Sequence, residues 1–489
     1  MQLDRRHMLT MMAASGAVTA CTGIGKGPRA SGPDWQIGYA NAPAEGFDPA
    51  PLRLISGRLP AGLRGSFYRN GPAWFTYDDA VLGHWFDGDG MVQRIAFDGE
   101  GAVHSGRFVE TNKHRAEQEA RAFLAAGFGS KGDPGFAVMS PDDVNAANTS
   151  VMVVNGELLA LWEAGSAMRM DPETLETRGY KTWRDDLKAM PFLAHPKREP
   201  DGRIWNLAVA DSRIGVYRIS ASGQLEDFGL LDMGKTAYLH DWAMTDRHLV
   251  ILIQPWIQTR NTPPFVDALE WQPGEGLKLM IVDKDDFSSV RHAEVDGHAF
   301  FHTGAAWEDA DGTVHVDACL YDRPALGPDA GRSLMQGRFD PDEEPTAALS
   351  RIVVPRRGPA RIEKTSVDGE FPVVHPAFHG HSRRLTALVG GEGRDRPGFT
   401  RLSLFDWQSG RHDSFDYGPG RIAEEHLFVA RPGGRSERDA WLIGSVLNYR
   451  RRRNEVHIFD VADISAGPVA SYEAPRAWPL GFHGTFHPA

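Results

Sequence analysis

The chain has 489 residues, long enough for two or three ordinary domains or for one large repetitive architecture. Its 53 lysines and arginines against 65 acidic residues leave a formal charge of −12, which argues against a nucleic-acid partner. With only two cysteines, Cys21 and Cys319, neither a disulfide framework nor a thiolate metal site holds the fold together.

In chain order, Arg5-Arg6-His7-Met8-Leu9 precedes a mildly apolar stretch rich in Ala, Met, Ser and Thr that runs through Ala20. Paired arginines before a segment too short to span a bilayer read as a twin-arginine-type export signal, with residues 1–34 as signal and linker. Val18-Thr19-Ala20-Cys21 has the form of a lipoprotein cleavage box, so the expected location is exported, either periplasmic or tethered to a membrane through Cys21. Residues 35–489 read as one all-β domain. The Arg115 to Ala126 region carries the one helical period; the rest is short strands broken by glycine and aspartate turns. Ser150–Val154 and Glu157–Trp162 flank Asn155-Gly156, a two-residue hairpin signal. Alternation recurs at 248–254, 277–282, 313–320 (with Cys319 as a buried strand residue) and 439–449. Arg450 to Arg453 reads as a solvated hairpin tip.

An apolar residue followed by aspartate and a turn recurs at Phe97-Asp98, Met170-Asp171, Val282-Asp283, Phe339-Asp340, Phe405-Asp406 and Phe459-Asp460, with Ile219-Ser220 as a degraded copy. Seven marks about fifty to seventy residues apart predict a single seven-bladed β-propeller, with loops and short helices capping one face. His195, His240, His302 and His483 each fall about 19 to 24 residues after a mark, as they do if each lies on the same strand of its own blade, facing the axis. Glu425 keeps the same phase, Glu370 comes somewhat later in its unit, and Glu163 is out of phase. Four imidazoles and three carboxylates around an axis suit iron, copper, nickel or zinc, with the glutamates fixing the far ring nitrogens.

In this order, Phe67-Tyr68-Arg69-Asn70-Gly71-Pro72, Phe86 to Val92, Ala194-His195-Pro196-Lys197, His240-Asp241, Phe301-His302 with Trp307-Glu308, Glu370-Phe371-Pro372, Glu425 with Phe428-Val429, and Gly481 to Thr485 resemble the carotenoid cleavage oxygenase family over nearly all of the chain after the export signal. The resemblance implies a seven-bladed propeller with one Fe(II) held by His195, His240, His302 and His483. It implies three supporting glutamates at Glu163, Glu370 and Glu425, and a threonine near the iron at Thr149. The chain departs from the pattern at Ala305, where the family usually has asparagine, and after Glu370, where His375, His379 and His381 read as decorating an exposed strand and turn. The activity implied is insertion of both atoms of O₂ across a carbon–carbon double bond, giving two carbonyl products without an external reductant. Stilbene-cleaving members are expected to hold a phenol with a tyrosine and a lysine; here Phe108 stands at the first position, the second lies near Val144, and no lysine falls between Asp133 and Thr149. A carotenoid or apocarotenoid is therefore the expected substrate, with a stilbene as the alternative. A metal-dependent hydrolase and a non-catalytic binding propeller are the readings from other classes. The apolar run Phe123 to Ala126 reads either as a lipid-facing mouth, a peripheral membrane contact, or as a plain buried helix.

Overall fold

The computed structural model describes residues 32–393 and 395–489. The signal, the cleavage box and Cys21 fall outside them. The regular structure that remains is almost all strand, arranged as seven antiparallel blades around one axis.

Blade 1 takes residues 65–108 with Phe47–Pro51 outside and Gly484–Pro488 inside; blades 2 to 5 take 150–180, 197–232, 243–295 and 299–368. Blades 6 and 7 take 370–416 and 421–473, joined by the single bridge Phe399 to Ala423, with Arg53–Gly57 added to the outer edge of blade 7. Both ends of the described chain therefore close the ring. Residues 65–69 pair with Gly484–Pro488 in strict register, from Gly65 opposite Pro488 to Arg69 opposite Gly484.

Alternation explains the strands, and burial on both faces explains their apolar middles. Ala440–Asn448 is buried throughout, and each blade packs on its neighbours through clusters such as Leu207, Val216, Leu249 and Ile251 between blades 3 and 4. The Asn155-Gly156 turn adopts positive φ at both residues (48° and 75°), and Val154 pairs with Glu157 as a two-residue hairpin requires. Cys319 is fully buried in its strand, and Arg450, Arg451 and Arg452 are exposed at a hairpin tip, with Arg453 half-buried in the strand that follows.

Two expectations are corrected. Six of the seven marks end the third strand of a blade, but Phe339-Asp340 does not. Blade 5 carries an insertion between its second and third strands, including the helix Pro328–Met335, and its third strand ends at Val354. The predicted helix over 115–126 is Asn112–Ala120, ending at Arg121 with φ 51°. The Glu117 carboxylate accepts the Leu124 and Ala125 amides at 3.0 and 2.9 Å, which turns the chain out of the helical path before the apolar run Phe123 to Ala126.

Candidate metal centre

The innermost strands of the blades gather near the axis, and each delivers one polar side chain, either from the strand itself or from the one to three residues before it. In ring order these are His483, Thr149, His195, His240, His302, Glu370 and Glu425. The seventh position explains Glu163. Thr149 occupies the inner-strand place of blade 2, whereas Glu163 follows the second strand, Glu157–Leu161, and reaches inward from there.

The four histidines meet. One ligating atom from each lies within 4.8 Å of all the others, and among the described residues this is the one group of histidine, cysteine or carboxylate placed for a metal. His240 Nε2 stands 3.0 Å from His195 Nε2 and 3.1 Å from His302 Nε2. Outward, His302 Nδ1–H donates to Glu370 Oε2 at 2.6 Å, His483 Nδ1–H donates to Glu425 Oε1 at 2.8 Å, and His240 Nδ1–H donates to Glu163 Oε1. A proton on Nδ1 of His240, His302 and His483 leaves each of their Nε2 atoms as a bare lone pair, and those of His240 and His302, facing one another at 3.1 Å, cannot hydrogen-bond. A cation in their midst satisfies all of them, so the residues fit a metal. Among the described residues no thiolate joins them, since Cys319 lies buried within blade 5.

The electrostatics favour neutral rings at His195 and His302. Burial, and then the neighbouring imidazoles, push His195 and His302 well below the usual histidine range. Burial also acts on His240, but Glu163 outweighs it and raises that ring. Burial pushes Glu370 up to about 8, against the pull of the Phe371 amide, which donates to the same carboxylate at 2.9 Å. Phe371 itself holds φ at 55°, an unusual conformation for a bulky side chain, and its ring stacks on His302 with centroids 4.9 Å apart.

The backbone around His483 is tied from every side. Its N–H donates to Thr149 C=O, its C=O accepts from Asn70 N–H, and Gly484 N–H donates to Glu425 Oε2 at 2.8 Å. Asn70 reaches on to the Ala147 and Ser150 carbonyls of blade 2 at 2.8 and 3.0 Å. Gly71 permits this: a Cβ there would meet Gly481 Cα at 2.3 Å. Thr149 is buried beside this junction, its hydroxyl bonded to Asn148 Oδ1 at 3.1 Å.

Asp241 was not singled out from the sequence as a site residue, though it directly follows a histidine and Lys197 follows another by two. Buried at 1 %, it accepts Lys197 Nζ at 2.6 Å, Trp242 N–H at 2.7 Å and the Thr303 amide and hydroxyl at 2.7 and 2.8 Å. It thereby clamps blades 3, 4 and 5 together 3.8 Å behind His195 Nδ1, the one imidazole of the four without a glutamate. His375 is buried, correcting its placement on an exposed strand, and caps a short 3-10 turn; His379 is partly buried and His381 exposed.

Beside the metal face stands an aromatic wall. Phe301 and Phe482 adjoin two of the histidines in sequence, and Phe86 lies 6.1 and 5.5 Å from them. Trp85 contacts Phe482 at 4.5 Å, and Tyr238 stacks on His240 at 6.0 Å and 12°. Phe86, Phe128 and Phe265 are only half-buried although packed among other rings. Phe108, by contrast, lies buried against Trp74 and stacked on His114 at 5.0 Å.

The comparisons with known proteins fit this geometry. Residues 39–488 match the family model described as retinal pigment epithelial membrane protein. The apocarotenoid-15,15'-oxygenase of Synechocystis sp. is 30% identical over 93% of this chain and 96% of that protein. Resveratrol cleavage oxygenase 1 of Aspergillus fumigatus is 26% identical over 88% and 91%. The solved structure of cobalt-substituted Synechocystis apocarotenoid oxygenase superposes with a TM-score of 0.83 at 26% identity, covering 93% of this chain and 98% of that one.

Proposed function

Because this chain belongs to the retinal pigment epithelial membrane protein family, which is the carotenoid cleavage oxygenase family, we propose that it is a non-haem Fe(II) dioxygenase that cleaves a carbon–carbon double bond of a carotenoid or apocarotenoid. The observation that carries the reading is the convergence of four imidazole lone pairs, three of them aimed by carboxylates, beside a half-open aromatic wall. In it His195, His240, His302 and His483 hold the metal. Bound Fe(II) would supply the coordination positions at which O₂ is activated. Both oxygen atoms pass into the two carbonyl products, so no external reductant enters the balance.

The protein's own part is to orient and to exclude. Glu163, Glu370 and Glu425 keep the Nδ1 protons outward, Asp241 fixes the blade that carries His195, and Thr149 anchors the His483 backbone. No proton needs to leave the substrate, which fits a set of polar side chains engaged with one another rather than poised as acids or bases. Phe86, Phe301 and Phe482 keep water away and offer ring faces to a conjugated chain.

A stilbene is the second reading, favoured by the likeness to the resveratrol-cleaving relative. Against it, Phe108 has no hydroxyl and packs away on His114, and Val144 has no charge. Aerobic incubation of iron-loaded protein with an apocarotenal and with 4-hydroxystilbene under ¹⁸O₂, followed by mass analysis, tests both. Two labelled aldehydes from the apocarotenal are expected; cleavage of the stilbene alone transfers the substrate to the second reading. One equivalent of zinc with iron-independent activity would point instead to a hydrolase.

Export through the twin-arginine route, with tethering through Cys21, belongs to the same proposal and rests on residues 5–21. Replacing Arg5 and Arg6 by lysine is expected to retain the protein in the cytoplasm, and fatty-acid labelling at Cys21 separates tethered from free forms. A peripheral membrane contact through Phe123 to Ala126 rests on that run's apolar character alone.

A further inference from the structure

Two carboxylates of the Phe86 to Val92 run take no part in the metal centre. Asp87 Oδ1 accepts the Phe128 amide at 2.6 Å, and its two oxygens accept the Gly129 amide at 3.3 and 3.1 Å. Asp89 accepts Lys113 Nζ at 2.6 Å and His114 Nδ1–H at 2.9 Å, and Lys113 donates also to Glu117 at 2.9 Å. Glu117 in turn holds the Leu124 and Ala125 amides. Two chains of hydrogen bonds thus leave one short motif and end on four backbone amides of residues 121–135, which have no strand ladder or helix of their own.

The cluster is deeply buried: Asp89 and Glu117 are 1 % exposed and Lys113 4 %. A well-packed apolar set commonly holds a fold as firmly as a buried ion cluster, so stability alone does not account for it. Position does. The segment carries Phe128, half-buried, against His84 (4.8 Å), Phe86 (5.2 Å), Tyr238 (5.6 Å) and Phe265 (6.1 Å). Phe86 and Tyr238 then contact Phe301, Phe482 and His240.

We infer that Asp87, Asp89, Lys113 and Glu117 are positioning residues that fix where Phe128 stands in the wall above the four histidines, and so how an elongated conjugated substrate rests there. The inference rests on the apolar, conjugated substrate proposed above. The ion cluster acts through the amides it holds and touches neither metal nor reacting atoms.

A double-mutant cycle on the full-length protein tests it, with Glu117→Gln, Phe128→Leu and the pair. Glutamine keeps the volume of Glu117, but its single carbonyl oxygen cannot serve both Lys113 and the two amides. Quenching of tryptophan fluorescence by an apocarotenal on metal-free protein reads binding, since Trp85 and Trp256 flank these rings. Each single variant is expected to weaken binding roughly 3- to 30-fold. The pair should be clearly less than additive, metal content should stay at the wild-type value, and in the iron-loaded protein KM should rise more than kcat falls. Unchanged binding in Glu117→Gln, additive effects, or loss of metal together with binding would each overturn the assignment. Wild-type protein that binds the apocarotenal without cleaving it fails the proposed reaction and leaves the cycle readable; wild-type protein that binds no polyene overturns both.

Discussion

The three glutamates behind the imidazoles are not equivalent, and the difference is visible in single hydrogen bonds. Glu425 accepts from His483 Nδ1–H with one oxygen and from Gly484 N–H with the other, whereas Glu163 serves His240 and lies more open, with its side chain 23 % exposed. A glutamine has one acceptor. At residue 425 it must turn an NH₂ toward a donor and leave a buried group unmet; at 163 it can keep its oxygen on the ring. Both variants should weaken metal binding, by roughly 10- to 100-fold, with Glu425→Gln near the upper figure and Glu163→Gln near the lower. A competition titration with a metal indicator measures the order. The ion cluster near residue 89 has a separate signature in acid. Burial alone would raise Asp89; Lys113 and His114 outweigh it and hold Asp89 down to about 2. Its folded value is below its unfolded one, so the stabilisation it brings is fully present above about pH 4 and disappears as the pH falls toward 2. Glu455, held down to about 2 against burial by His457, Asn448 and Arg421, acts in the same direction. Denaturant midpoints between pH 5 and 2.5 should fall accordingly.

Among the elements, the junction of blades 1 and 2 carries the greatest consequence per residue. Asn70 is 1 % exposed and bonds the Ala147 and Ser150 carbonyls while its backbone holds Phe482 and His483. Asn70→Ala leaves both carbonyls unmet, so it should cost about 3 kcal/mol of stability and loosen metal binding, measured together by denaturation and metal titration. The same elements show what was readable in advance. Inner strands announce themselves, because one inward polar side chain recurs with the blade, and this gave His195, His240, His302, His483 and Glu425 their phase. Glu163 fell out of phase because it comes from the end of a second strand, a place that inner-strand spacing does not track. The mark at Phe339-Asp340 failed because an insertion with its own helix displaces the third strand of blade 5 to Val354. The early end of the helix at Ala120 could not be seen locally either. It depends on Glu117 reaching forward to Leu124 and Ala125 while bound to Lys113, which Asp89 holds from another strand. Asp241 was adjacent to a predicted ligand, yet its role lies in partners drawn from blades 3 and 5.

Across the whole molecule, the four imidazoles come from blades 1, 3, 4 and 5, so a bound metal is coupled to the closed ring and to no single sheet. A ligand that binds only the closed form stabilises it, by about 4 kcal/mol at a thousand times its dissociation constant. Removal of metal by a chelator should lower the melting temperature by roughly 5 °C, a shift that added Fe(II) reverses. The arrangement also has a kinetic side. Freeing a bound metal requires blades to part, because three of the four imidazoles are braced by a carboxylate from another blade. The rate at which a radioactive or isotopically distinct metal exchanges with solution is then a clock for the breathing of the ring. It should quicken in mild denaturant well before the strands melt, and quicken more in Asn70→Ala than in a variant of an outer strand.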